Sequence, residues 1–243
     1  MRSIQKGVEP PALTAWKHAN RRSPQNLTYS GGGFPTEDVR RALLLEQFHL
    51  CAYTMRRLLT QQKCSTKVEV VAGKETALSC HIEHIYPQAE HQSRSVDYTN
   101  MVACFPPSQG STACAFGAVE KKNYDPAQEP FESPLGQNAS TQFFFHESGL
   151  VEGLSDRARK TVKVLNLNAS VLVNDRKAVI RGAIKPGGKY LSSTAALQVV
   201  RKMGIPDAQH CLPAYCEAIR QLAQRLAKKQ QGREAGLRKQ ARK

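Results

Sequence analysis

Within eight residues, Cys80-His81-Ile82-Glu83-His84-Ile85-Tyr86-Pro87, the chain sets two imidazoles and a carboxylate side by side. A carboxylate is a hard oxygen ligand for a divalent cation, and an imidazole titrates near neutrality and can take a proton from water. Together these are the groups that phosphodiester hydrolysis requires. On an extended strand His81 and Glu83 share one face while Ile82 and His84 share the other, although a twist or bulge near Pro87 could bring Glu83 and His84 together. The competing reading of the same residues is a surface strand with ordinary histidines.

The remaining polar features are more dispersed. His49, His146 and His210 stand alone and read as packed or surface residues. Gly31 to Gly33 is followed by Phe34 and Pro35 with no Lys-Ser or Lys-Thr, which excludes a phosphate-cradling P-loop there. The cysteines (Cys51, Cys64, Cys80, Cys104, Cys114, Cys211, Cys216) are odd in number and unevenly spaced, and structural disulfides are their least expected use in a reducing compartment. Cys211 and Cys216 read as helix packing. With 35 Lys and Arg against 20 Asp and Glu, the formal charge is +15, which favours a polyanionic partner. From Ala218 to Lys243 nine basic residues face one acid, Glu234. That segment is either a solvated tail or a phosphate-binding one, with Lys228, Lys229, Arg233, Arg238 and Lys239 as its contacts.

The elements that must position these groups follow from patterning. At 40% hydrophobic and 23% charged residues the chain can bury a core, which excludes disorder throughout. No window approaches the roughly 18 apolar residues of a membrane span, and Met1 to Pro11 lacks the apolar centre of a secretory leader, so a cytoplasmic protein without membrane contact is expected. The fold class expected is α+β, in three parts. Residues 1–35 form a turn-rich arm with a short amphipathic stretch around Leu13 and Trp16. Residues 36–185 hold a helix capped by Thr36 and ending near His49, with Val39, Leu43 and Leu44 on one face. Strands are expected at Leu50 to Tyr53, Lys67 to Ala72, Ser79 to Tyr86, Met101 to Phe105 and Gln142 to Phe145, with a turn and short strand at Gly149 to Gly153. Ser155 caps a helix through Ala158, Val162 and Leu165, and the helical pattern repeats from Leu167 to Ile180. Residues 186–243 open on a hinge at Pro186-Gly187-Gly188 and continue as helices at Ser193 to Met203 and Leu212 to Lys229 before the basic tail.

Taken in order, Cys51-Ala52-Tyr53-Thr54, Ile82 to Pro87, Asn100-Met101-Val102-Ala103-Cys104 and Cys114 to Lys121 resemble the HNH endonucleases. Leu165-Asn166-Leu167-Asn168, with Leu172 and Arg176, is similar to a helical region of the HNH proteins of Septu-type anti-phage systems, including those encoded with retrons. The resemblance covers roughly residues 36 to 185. It implies an HNH ββα-metal core of short strands flanked by N-terminal and C-terminal helices, and a nuclease dependent on Mg²⁺ or Mn²⁺. In that scheme His84 is the general base, Asn100 braces the loop and orients His84, and Glu83 ligates the metal. Ala118 stands where a further His or Asn ligand is usual, with Glu120 and Asn123 as nearby substitutes. His81 and Lys121 would contact nucleic acid. The implied partners are a DNA or RNA substrate, a partner ATPase and, in a retron setting, a reverse transcriptase with its DNA. Cys51, Cys80, Cys104 and Cys114 could form a zinc set. Thr54 replaces the second cysteine of the first pair, however, and Cys104 lies far from Cys114, so packing is the favoured reading. The alternative function is a noncatalytic nucleic-acid-binding or scaffold protein on a decayed HNH fold, which Ala118 supports.

Overall fold

A computed structural model describes residues 1–30, 32–58, 80–106 and 114–240, with the backbone alone described at 24, 234 and 237–240. The strand expected at Lys67 to Ala72 lies outside the described residues. At the centre, β1 (His81–His84) pairs antiparallel with β2 (Met101–Cys104), setting His81 opposite Cys104 and His84 opposite Met101. All eight residues are buried, so this hairpin carries its histidines and glutamate into the interior on both faces.

The N-terminal helix α1 (Pro11–Asn20) buries Leu13. Val39, Leu43 and Leu44 form the buried stripe of α2 (Thr36–Glu46), which packs on the hairpin. Thr36 is the first residue of that helix rather than its cap. The helix stops short of His49 because Phe48 and His49 adopt φ of 52° and 56°. Leu50 to Tyr53 is a turn rather than a strand. Met55 N–H donates to Cys51 O at 2.9 Å and Cys51 N–H to Arg56 O at 2.8 Å, so the chain reverses there. Apolar residues at 50–53 imitate a buried strand, but Met55 at φ 60° ends any extension. Ala52 N–H then joins the turn to β2 through Ala103 O at 3.1 Å.

A single helical turn, α3 (Ala118–Lys121), follows Gly117, whose φ of 69° sends the chain back over the hairpin. β3 (Phe143–Phe145) pairs antiparallel with β4 (Val151–Gly153). Ser155 accepts from Ala158 N–H and caps α4 (Asp156–Val164), as its sequence position indicates. Leu165 to Asn168 is not helical, and α5 (Ser170–Ile184) begins only after it. Asn166 turns at φ 43°, and its Nδ2 donates to Ala115 O at 2.8 Å. Leu165 O accepts Gly117 N–H at 2.7 Å, so this junction holds the entry to α3. The last helices, α6 (Ser193–Lys202) and α7 (Cys216–Gln240), pack on each other and on α5. Tyr215 at φ 55° delays α7 past Leu212, and the helix runs through Gly232 and Gly236 instead of ending at Lys229.

One hydrophobic cluster runs from Ile4 and Leu13 through the hairpin to Ala227, so residues of the arm and the C-terminal helices share an interior with the central segment. Among the described residues the fold is α+β, with seven α-helices and two two-stranded antiparallel sheets. None of their helices is long and apolar enough to cross a membrane.

Buried Arg176 on α5 donates to Gly149 O at 2.7 Å and to Leu167 O at 2.6 Å, fastening the β3–β4 turn to the helix junction. Gly149 has φ 89°, and a Cβ there would run into the carbonyl oxygen of Val173. Gly149→Ala is therefore expected to lower stability by about 3 kcal/mol. Gly182→Ala, in open space on the outside of α5, should raise it by about 0.7 kcal/mol. Urea denaturation midpoints measure both; equal midpoints would contradict the packing described.

Candidate active site

His84 ends β1, and the chain turns away through Ile85 to Pro87. Its Nε2 lies 2.8 Å from Ser95 O, and its Nδ1 lies 3.1 Å from Gln88 Nε2. A carbonyl oxygen only accepts, so Nε2 carries the hydrogen and Nδ1 presents its lone pair to the Gln88 amide. Burial lowers the pKa of His84 below its ordinary value, against the opposing pull of the Ser95 carbonyl and Glu83. The ring is thus held neutral at pH 7 with one nitrogen available as a base. Tyr29, from the N-terminal arm, packs on it in a T-shaped contact at 4.9 Å between ring centroids.

A pocket of about 240 Å³ opens beside this ring, lined by Glu83, His84, Gln88, Lys122 and Asn123 among others. Glu83 and His84 meet there without a bulge in the β1–β2 pairing, because the strand ends at His84. Asn100, at the head of β2, acts on the site through the loop. Its Oδ1 accepts Tyr86 N–H at 2.8 Å, and its Nδ2 donates to Tyr86 O at 3.1 Å and Arg94 O at 3.2 Å. The clamped segment carries Gln88, and Ser95 follows it directly. Asn100 therefore sets the partners of His84 without touching it.

Glu83 is held from two sides. Its Oε1 lies 3.0 Å from Lys121 Nζ and 3.4 Å from the Tyr53 hydroxyl, while its Oε2 faces His81 Nε2 at 3.6 Å. Burial pushes the carboxyl up, but His81 and Lys121 more than offset that and hold it below the usual carboxylate range. Lys121, expected on a phosphate, is instead an interior counter-ion with its side chain 1% exposed, and it also donates to His84 O at 3.0 Å. The single turn of α3 lies against the hairpin, which directs Lys121 inward. The solvent-facing cation at the pocket is its neighbour Lys122.

His81 is buried too, so it offers no surface to a phosphate. Its Nδ1 donates to Pro106 O at 2.5 Å, and its Nε2 has no hydrogen-bond partner. An orphaned buried nitrogen facing an ionised carboxylate suits a divalent cation. Glu120 is half-buried on α3 and does not line the pocket, whereas Asn123 does. Among the described residues no group of three or more His, Cys, Asp and Glu side chains is arranged around a common metal position.

Cys51, Cys80 and Cys104 are free and buried. Cys114 is disulfide-bonded, which removes it from the zinc set and departs from the expectation that disulfides are the least expected use. Burial pushes the Cys51 thiol up, and hydrogen bonds from Cys104, Phe105 N–H and Thr54 outweigh it, so its net shift is downward. Thr54 serves that sulfur as a donor. Cys211 lies in the turn before α7, and Cys216 opens the helix. Lys228, Lys229 and Arg233 are exposed on α7, with Arg238 and Lys239 in its last turns. α7 packs chiefly on α6 and α5, so these basic residues belong to a different part of the fold from the hairpin.

Sequence reasoning did not find Gln88, Ser95, Tyr53 or Tyr29 in the site. Ser95 works through its backbone, which leaves no mark on residue type. Tyr29 did leave one: with Trp16 and Phe34 it forms an aromatic group in an otherwise polar, turn-rich arm. The chain matches no protein-family model, and no curated protein matches it.

Asn100→Ala would strand Tyr86 N–H and two carbonyl oxygens in the interior. A loss of about 3 kcal/mol is expected, together with a changed His84 imidazole signal in ¹⁵N NMR. Urea denaturation measures the first effect. An unchanged midpoint with an unchanged His84 spectrum would show that the clamp does not hold the loop.

Proposed function

We propose that this chain is a metal-dependent nuclease of the HNH type, in which His84 Nδ1 accepts the proton of the water that attacks a phosphodiester. The observation that carries the reading is the neutral imidazole of fixed tautomer, lining a pocket beside an ionised carboxylate. The order of elements agrees with a ββα-metal core: His84 ends the first strand, Asn100 opens at the second, and α3 returns over both.

In the reaction, a water takes the place of the Gln88 amide at Nδ1 and passes its proton there as its oxygen attacks phosphorus. Ser95 O keeps the Nε2 hydrogen in place, and the nearby Glu83 charge favours the imidazolium that forms. Lys122 gives the pocket a cation for phosphate. Glu83 would hold a divalent Mg²⁺ or Mn²⁺ ion, with Asn123 lining the same pocket, and a bound ion would neutralise charge on the phosphate and the leaving oxygen. The resemblance extends the proposal to a cytoplasmic anti-phage effector that works with a partner ATPase and, in a retron setting, with a reverse transcriptase and its DNA.

A noncatalytic nucleic-acid-binding scaffold is the second reading. Ala118 at the usual ligand position and the Lys121 ammonium on Glu83 both favour it. A cleavage assay with Mg²⁺ or Mn²⁺, with and without the product of the neighbouring gene, separates the two. Binding without cleavage under every condition would favour the scaffold.

His84→Ala should lower the cleavage rate by about 10² to 10⁴, with a fall in thermal stability because loss of the buried ring strands Ser95 O, and with complex formation unchanged. Full activity in that variant would end the assignment of the base. Deleting residues 231–243 should weaken nucleic-acid affinity and flatten its dependence on salt, by about 0.9 of a log–log unit for each duplex phosphate contact removed. Cleavage chemistry at saturating substrate should not change. Unaltered affinity and slope would mean that the tail does not contact phosphate.

A further inference from the structure

We propose that His81 Nε2 and Glu83 Oε2 are a ligand pair for a borderline transition-metal ion, such as Mn²⁺, Co²⁺, Ni²⁺ or Zn²⁺, in preference to Mg²⁺. The inference deepens the metal requirement of the nuclease reading and rests on it only for the use to which the ion is put. Three observations carry it. The Nδ1–H of His81 is committed to Pro106 O at 2.5 Å, which leaves Nε2 as the ring nitrogen placed to ligate. A backbone carbonyl behind the ring is the usual arrangement for a metal-bound histidine, since it fixes the tautomer and raises the basicity of the other nitrogen. Nε2 is buried and has no hydrogen-bond partner, in a side chain 8% exposed.

The third observation is the separation. Nε2 and Oε2 lie 3.6 Å apart. Two ligand bonds of about 2.1 Å span that gap at an angle of about 120°. Lys121 engages the other oxygen, Oε1, at 3.0 Å, so the carboxylate would bind through one oxygen only. The ammonium also lowers the affinity for any cation, which makes the imidazole nitrogen the deciding donor. An imidazole nitrogen suits borderline metals, whereas Mg²⁺ prefers oxygen donors and keeps its waters. Glu83 lines the pocket, so the ion's remaining positions would be open to water or phosphate from that side. This assigns His81 a role that the HNH resemblance left to Glu120 or Asn123.

The test uses the full chain without nucleic acid, titrated with CoCl₂ followed by visible absorption, and with MnCl₂ and MgCl₂ followed by calorimetry. One Co²⁺ or Mn²⁺ per chain is expected. His81→Ala should weaken both by at least ~10-fold, with Mg²⁺ affinity changing less than about 2-fold. In the unaltered chain, substoichiometric Mn²⁺ should broaden the His81 imidazole resonances, a readout that needs no variant. Equal Co²⁺ and Mn²⁺ affinity in His81→Ala, absence of binding by the wild-type chain, or a cobalt–thiolate charge-transfer band pointing to the cysteines would each overturn the proposal. Binding as expected in a chain that never cleaves would support this pair and end the nuclease reading. Cleavage that proceeds equally with His81→Ala, in a chain that binds no Co²⁺, would end the proposal and leave the nuclease reading intact.

Discussion

Glu83 and Lys121 meet at 3.0 Å with almost no solvent on either side chain. Removing two charges from water is strongly unfavourable unless they meet each other and their remaining hydrogen-bonding groups find partners. Here the Tyr53 hydroxyl serves the carboxylate and His84 O accepts from the ammonium. The pair therefore requires three elements to arrive together: β1, the turn at Cys51 to Arg56, and α3. The positive φ at Gly117 and the bond from its N–H to Leu165 O bring α3 into range. A chain that misplaced any of them would leave an uncompensated charge in its core.

The surroundings of His84 depend on the same packing. Its two ring nitrogens are addressed by the loop that Asn100 clamps, and Tyr29 from the arm packs on the ring. Tyr29 packs on Phe34, which in turn meets Trp16. Elsewhere in the arm, Lys6 pairs with Glu46 of α2 and donates to Met101 O at 3.0 Å, while Tyr98 donates to Glu46 at 3.0 Å. The arm is thereby tied to the head of β2, immediately beside Asn100. What reads as a turn-rich appendage packs directly on the His84 ring.

The buried Cys51 thiol is satisfied within the turn that carries it. Thr54 donates to the Cys51 sulfur, and Phe105 N–H approaches the same atom at 3.4 Å. The thiol is satisfied by protein donors, with Cys104 beside it and Cys80 buried nearby. Cys114 is held in a disulfide. The turn at 51–56 keeps its shape through backbone hydrogen bonds, Met55 to Cys51 and Cys51 to Arg56.

Local periodicity by itself determined where β1, β2, α2, α4 and α6 lie to within a few residues, since a buried stripe or an alternating run states its own repeat. Residue chemistry alone also brought Glu83 and His84 forward, while Asn100, and Asn123 as a substitute metal ligand, came from the HNH resemblance. Tertiary structure decided the rest. Whether Lys121 meets a phosphate or a carboxylate depends on which element α3 folds against, and nothing in its immediate neighbours records that. Leu50 to Tyr53 and Leu165 to Asn168 carry strand-like and helix-like patterns, yet positive φ at Met55 and Asn166 turns both into junctions, because distant hydrogen-bond partners outweigh weak local preference. The acceptors that fix the tautomers of His81 and His84 are the backbone carbonyls of Pro106 and Ser95, and every residue has a carbonyl, so only the folded chain could select those two.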